Sequence, residues 1–247
     1  MLLETIINKN KNYTPVWFMR QSGRHLKEYL LLRKKHNNFI DFCLDENSII
    51  KATLLPLNYY KLDAAILFSD ILIIPWILGQ KVDFKKNVGP ILDPIPIEDL
   101  LKNQFQKEKI YSIEKALKII KSSLLSKQSL IGFSGAPWTL SCYMIEGGGS
   151  RTFEKVRKVL WFENVLFFKL IDKLIELVTD FLEFQANCGC DVLMIFDTWS
   201  HMIPEQYWSK LAIDPINKIV VELRRRNIKC PIIGFPFKGG EKMIKYS

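Results

Sequence analysis

Histidine is scarce in this sequence: His25, His36 and His201 are the only three among 247 residues. None stands in an H-x-C pattern, so spacing gives no histidine–cysteine metal cluster. Cys43, Cys142, Cys188, Cys190 and Cys230 are an odd number of cysteines with no C-x-x-C pair. That excludes a disulfide scaffold and points to a reducing compartment. Cys188-Gly189-Cys190 is at most half a metal site, and buried inert thiols are the reading it favours. Long hydrophobic runs are also missing. The longest apolar stretch, 64–79, is interrupted by Asp70 and Pro75 and is too short to span a bilayer. The opening MLLETIINKNKNY has neither the apolar core nor the small-residue cleavage site of a secretory leader. A cytoplasmic protein without a membrane partner is expected. No G-x-S-x-G elbow and no GK[ST] after the Gly147-Gly148-Gly149 run is present, which removes two common catalytic loops.

What is there in quantity is apolar surface, 48% of the residues, and positive charge, +9 from 35 basic against 26 acidic side chains. Such hydrophobicity excludes a disordered chain. Only eight of the cations are arginine, and the one tight run, Arg224-Arg225-Arg226, closes an apparent helix, where cations suit the dipole. No basic stripe is interleaved with aromatics, so nucleic acid is not an expected partner. The excess reads as solvated surface, or as attraction for an anionic small molecule.

Four short apolar runs, 64–68, 130–134, 192–196 and 231–235, read as buried strands, with 15–19 as a fifth. Helical patterns cover 113–125, 163–185 and 205–226; the second carries Val165, Phe168, Ile171, Ile175, Val178 and Leu182 at helical spacing. Strands alternating with long helices imply a parallel sheet and an α/β fold, with chemistry just past the strands' carboxyl ends. Those positions hold Ser69-Asp70, Gly135-Ala136-Pro137-Trp138, Asp197-Thr198-Trp199 and Pro236-Phe237-Lys238. A (β/α)8 barrel needs about eight strands. Strand starts near 64, 130, 192 and 231 consume the chain, so one α/β domain is expected over 1–247, and the TIM-type barrel that the resemblance below implies would be incomplete at its C-terminus.

Several residues stand out, each with a plain alternative. Arg20 and Arg24, with Arg33 further on, can converge as guanidinium forks on carboxylates, or lie as surface arginines before a helix. Gly23 between them would let backbone approach a ligand. Asp70 is either a helix cap or a carboxylate at the mouth of a barrel. The glycine run after Glu146 reads as a loop at that mouth, and Tyr143 as a core aromatic.

Taken together, PVWFMRQSGR (15–24), LDAAILFSDIL (62–72), LIGFSGAPWTLSCYMIEGGGS (130–150), FDTW (196–199) and GFP (234–236) closely resemble the uroporphyrinogen decarboxylase family, in its order and at compatible spacing. The resemblance implies a modified (β/α)8 barrel, a homodimer, and cofactor-free, metal-free removal of carbon dioxide from the four acetate arms of uroporphyrinogen to give coproporphyrinogen. It implies that the loop Arg20-Gln21-Ser22-Gly23-Arg24 binds substrate. Arg20 and Arg24 would hold carboxylates, Arg20 would also be a proton donor, and Arg33 would lie near the site. Asp70 would meet the central pyrrole N–H groups, and Tyr143 and Thr198 would touch substrate. Departures are His25 for the usual tyrosine, Lys27 for proline and Ser200-His201 for Ala-Gly. The family's C-terminal Asn-Leu-Gly-His-Gly-like motif has no counterpart. The expectation is therefore the N-terminal part of such an enzyme. The alternatives are an inactive fragment of it, or a cobalamin-linked methyltransferase of the same superfamily, whose zinc-binding H-x-C is missing.

Overall fold

The structure, a computed structural model, describes residues 2–9, 12–85 and 88–246. Helix α1 (Leu2–Asn8) is followed by an irregular segment and three helices, α2 (Lys27–Arg33), α3 (Phe39–Leu44) and α4 (Glu46–Tyr59), before the first strand, β1 (Ala64–Ile66). Asn38 and Asp45 start α3 and α4 by accepting the Asp41 and Ser48 amides at 2.7 and 2.8 Å, which satisfies donors that a helix start leaves open. After β1 come α5 (Ile73–Ile77), a hairpin β2 (Val82–Lys85) and β3 (Gly89–Leu92), then α6 (Ile97–Leu100), α7 (Tyr111–Ser123) and β4 (Ser129–Gly135). Helices α8 (Pro137–Glu146), α9 (Glu154–Phe162) and α10 (Asn164–Asn187) lead to β5 (Val192–Asp197), and α11 (Asp214–Arg225) to β6 (Ile232–Pro236).

The main sheet is wholly parallel, in the order β1-β4-β5-β6. Its four strands are the four apolar runs. Parallel strands need continuous apolar sequence because both faces are covered, and every residue of β4 is buried. Among the described residues the sheet is an open α/β arc, with β1 and β6 at its edges. Three of the four residues Ile232, Ile233, Gly234 and Phe235 in β6 are half-buried and Gly234 is exposed.

Four expectations need correction. Segment 15–19 is no strand. Pro15 lacks an N–H, and the segment is pinned beside β1 by Asp63, whose carboxylate accepts the Val16 amide at 2.7 Å while its own amide donates to the Val16 carbonyl at 2.9 Å. Pattern 205–226 is not one helix: a 3-10 turn and a π-helical turn (Ser209–Ile213) precede α11. Pro215 explains this, since its ring crowds the carbonyl one turn back and its nitrogen donates nothing. Helix α10 exists, but Val165 is exposed, and the buried face runs through Phe167, Leu170, Leu174, Leu177 and Phe181. The glycine run does not stand free at the mouth. Gly147 ends α8 in the left-handed conformation (φ 83°), and its carbonyl accepts the Leu92 amide at 3.0 Å. A Cβ on Gly148 would sit 2.7 Å from the Pro90 oxygen, so only glycine lets the unforeseen β2–β3 hairpin dock there.

One detail of the sheet places the site. Pairing of β1 with β4 stops early: the last link is the Leu67 amide on the Ile131 carbonyl at 2.9 Å. The Phe68 amide turns instead to Thr53 Oγ1 on α4 at 2.9 Å. Across the gap, the Gln185 side chain from α10 takes the place of a strand. Its Oε1 accepts the Phe133 amide at 2.8 Å and its Nε2 donates to the Phe133 carbonyl at 2.9 Å. Strand β1 thus leaves the sheet just before Ser69-Asp70.

Candidate active site

Asp70 lies at this exit. Its Oδ1 accepts the Leu72 amide at 2.9 Å, so it does start the turn into α5. That uses one oxygen and leaves the other. Burial pushes its pKa from 3.8 up to about 6; the Leu72 amide and the positive charge of Arg20 pull the other way. At neutral pH the carboxyl is still mostly ionised, in a site that solvates it poorly.

Arg20 is exposed on the loop before α2, and its charge acts on both Asp70 and Tyr143. Tyr143 sits half-buried on the last turns of α8 with its ring 5.9 Å from that of Trp199, edge to face. Burial raises its hydroxyl pKa, Asp70 adds to the rise, and Trp199 and Arg20 oppose it. Asp70, Arg20 and Tyr143, distant in sequence, therefore share one electrostatic environment. Tyr29 of α2 belongs to it as well. Burial raises Tyr29, Arg33 and Arg24 pull it back, and Asp70 adds to the rise.

The other expected residues divide in what they do. Gln21 is 4% exposed, and its amide is spent on structure: Nε2 donates to the Ala64 carbonyl at 3.1 Å and Oε1 accepts the Phe18 amide at 3.3 Å. It fastens the arginine loop to β1. Ser22 has a buried hydroxyl with no partner among the described residues. The Gly23 carbonyl accepts the Leu26 amide at 3.0 Å, and a Cβ there would meet only the His25 ring at ordinary contact distance. Arg24 is exposed. Arg33 donates to the His36 carbonyl at 2.7 Å and lies 5.8 Å from the Phe39 ring centre, so its reach is partly committed. Thr198 is half-buried directly after β5, at the carboxyl end of the sheet as Asp70 is.

Sequence reasoning missed Tyr29 and Thr139, and of Asp197-Thr198-Trp199, which it placed at the carboxyl end of a strand, it gave a role to Thr198 alone. Among the described residues no three His, Cys, Asp or Glu side chains are grouped to hold a metal ion. The five thiols are free, and burial raises the pKa of each. Among the described residues no helix is long and apolar enough to cross a membrane.

A carboxylate, a cation whose charge acts on it and a phenol in the same electrostatic environment are groups that suit a polar, charged substrate. Comparison with known proteins bears on which one. The family profile described as uroporphyrinogen decarboxylase (URO-D) matches residues 1–246. The chain is 43% identical over 255 aligned positions to the uroporphyrinogen decarboxylase of Rickettsia felis, covering 98% of this chain and 72% of that protein. It is 41% identical to the Rickettsia akari protein of the same name, covering 96% and 71%. Among solved structures, a methyltransferase from Methanosarcina mazei aligns with a TM-score of 0.72 at 15% identity, over 94% of this chain and 67% of that one. That last likeness concerns the fold alone, and it places the arc in a TIM-type α/β architecture.

Proposed function

The chain belongs to the uroporphyrinogen decarboxylase family, and from that premise we propose that it is a carboxy-lyase acting on uroporphyrinogen III. The observation that carries this reading is identity above 40% across nearly the whole chain, with Asp70, Arg20 and Tyr143 sharing one site. The product is coproporphyrinogen III. In each step the bond between the acetate methylene and its carboxylate breaks and carbon dioxide leaves. A protonated pyrrole takes up the electron pair, the methylene carbon then receives a proton to become a methyl group, and the ring gives up the proton it had gained, so that each step consumes one proton overall. The substrate's own ring is the electron sink.

Asp70, mostly ionised at neutral pH, accepts pyrrole N–H groups and stabilises the ring as it becomes cationic. Its poor solvation strengthens that interaction. Arg20 and Arg24 hold acetate and propionate carboxylates, and Arg20 is the proton donor to the methylene carbon. Arg33 adds positive potential through its position near Tyr29. Tyr143 and Thr198 contact the bound macrocycle, and Ser22 offers its unpartnered hydroxyl. Gln21 and Gly23 shape the loop that carries the arginines. Residues 1–247 act as a single domain, in the cytoplasm and as a homodimer.

The test is decarboxylation of uroporphyrinogen III by the full chain, followed as release of products with seven to four carboxyls. Asp70→Ala is expected to lower kcat by roughly a hundredfold, about 3 kcal/mol by analogy with loss of one preorganised electrostatic group. Wild-type turnover by that variant would remove Asp70 from the mechanism.

A further inference from the structure

Asp197 is a buried acid that the mechanism above does not use. It ends β5, is 0% exposed, and its Oδ2 has no hydrogen-bond partner among the described residues. Burial pushes its pKa up to about 7, with the Thr139 hydroxyl opposing the rise. An acid in so apolar a place costs stability that an asparagine would not, which marks it as kept for something other than packing. Its one bond is informative. Thr139 Oγ1, also 0% exposed, donates to Asp197 Oδ1 at 2.6 Å and accepts the Trp199 amide at 3.0 Å. A single hydroxyl on the first turn of α8 therefore ties the Asp197 side chain on one side of Thr198 to the Trp199 backbone amide on the other. Next to it, Trp138 Nε1 donates to the Trp199 carbonyl at 2.9 Å, so α8 takes both backbone groups of Trp199. Strand β6 is tied in by the Phe237 amide on the Asp197 carbonyl at 3.1 Å, and by Ser200 Oγ on the Phe237 carbonyl at 2.9 Å. The clamped Trp199 presents the ring against which Tyr143 stands.

We infer that Asp197, acting through Thr139, is a positioning residue for substrate binding: the pair locks the turn after β5, and with it Thr198 and Trp199, to the helix that carries Tyr143. This rests on the decarboxylase reading. The pair touches no substrate; it fixes where Thr198 and Tyr143 can meet one. Loss of the clamp therefore appears in KM, while the Asp70 chemistry that governs kcat is left in place.

The experiment is initial-rate kinetics on uroporphyrinogen III with the full chain, alongside thermal melting. Thr139→Val, which keeps shape and removes the hydroxyl, is expected to raise KM roughly tenfold, about the worth of one hydrogen bond, with kcat within about twofold. Thr139→Ser should restore most of the affinity. If Thr139→Val does not fold, Asp197→Leu against Asp197→Asn makes the same comparison, since asparagine keeps the accepting oxygen. Serine and valine variants with the same KM, or a valine variant with wild-type KM, overturn the inference. A wild-type chain that neither binds nor decarboxylates the substrate overturns the functional reading first, and the inference with it.

Discussion

Asp70 makes the reading quantitative through pH. Its carboxyl titrates near 6 in the folded chain against an ordinary value of 3.8, the first cause being burial. A difference of about two units corresponds to about 3 kcal/mol between protonation states. The sign follows from linkage. A carboxyl with a raised folded pKa contributes stability that is fully present below pH 4 and lost as pH rises toward 6. Substrate binding runs the other way, because only the carboxylate accepts pyrrole N–H groups. Above pH 7 the group is charged; at pH 5 roughly a tenth of it is, so affinity should fall about tenfold over that interval. The assay is KM, or fluorescence-detected Kd for uroporphyrinogen III, at steps from pH 5 to 7.5. The comparison is Asp70→Asn, which keeps the shape and cannot titrate. Substrate carboxylates titrate equally against both proteins, so the difference between the two curves isolates Asp70. Parallel curves for wild type and Asp70→Asn would refute both the elevated pKa and the role built on it.

Other outcomes follow from the same geometry. Asp197 is fully buried and titrates near 7. Wild-type stability relative to Asp197→Asn should therefore fall by about 3 kcal/mol as pH rises from 4 to 7, read from urea midpoints; a constant difference would contradict it. Gln21→Ala removes both ties of the arginine loop. It should cost about 1–3 kcal/mol and leave the loop's peptide bonds open to protease, whereas unchanged digestion would mean the loop is held by Asp63 alone. Gln185→Leu strands the amide and carbonyl of Phe133 in the interior. A loss of about 2–5 kcal/mol is expected in the same unfolding assay, and a loss below 1 kcal/mol would show that those groups find other partners.

The parts of the fold legible in the sequence are those where one physical demand dominates. Strands β1, β4 and β5 are covered on both faces and so read as unbroken apolar runs. The β2–β3 hairpin buries little beyond Val82 and Leu92, and its lysines and aspartate hide it among loop residues. Helix α10 was visible, but it packs apolar side chains over a broad arc, so periodicity alone chose a stripe that includes the exposed Val165. In the site, Asp70 was legible because a polar residue directly after a buried strand is conspicuous. The commitment of Arg33 to the His36 carbonyl was not, since it depends on the turn at 34–36. Asp197 stood in view after β5, but its role was not legible because it faces α8, behind the residue that draws attention.

The early parting of β1 from β4 has a consequence for how the carboxyl end of the sheet is held. A ladder spaces strands by a repeating unit that no single side chain can alter. Here the spacing beyond Leu67 is held by two side chains, Thr53 and Gln185. Each of them also satisfies backbone groups that a ladder would otherwise pair, so the parting of β1 from β4 beside Asp70 rests on two side chains rather than on a repeating unit.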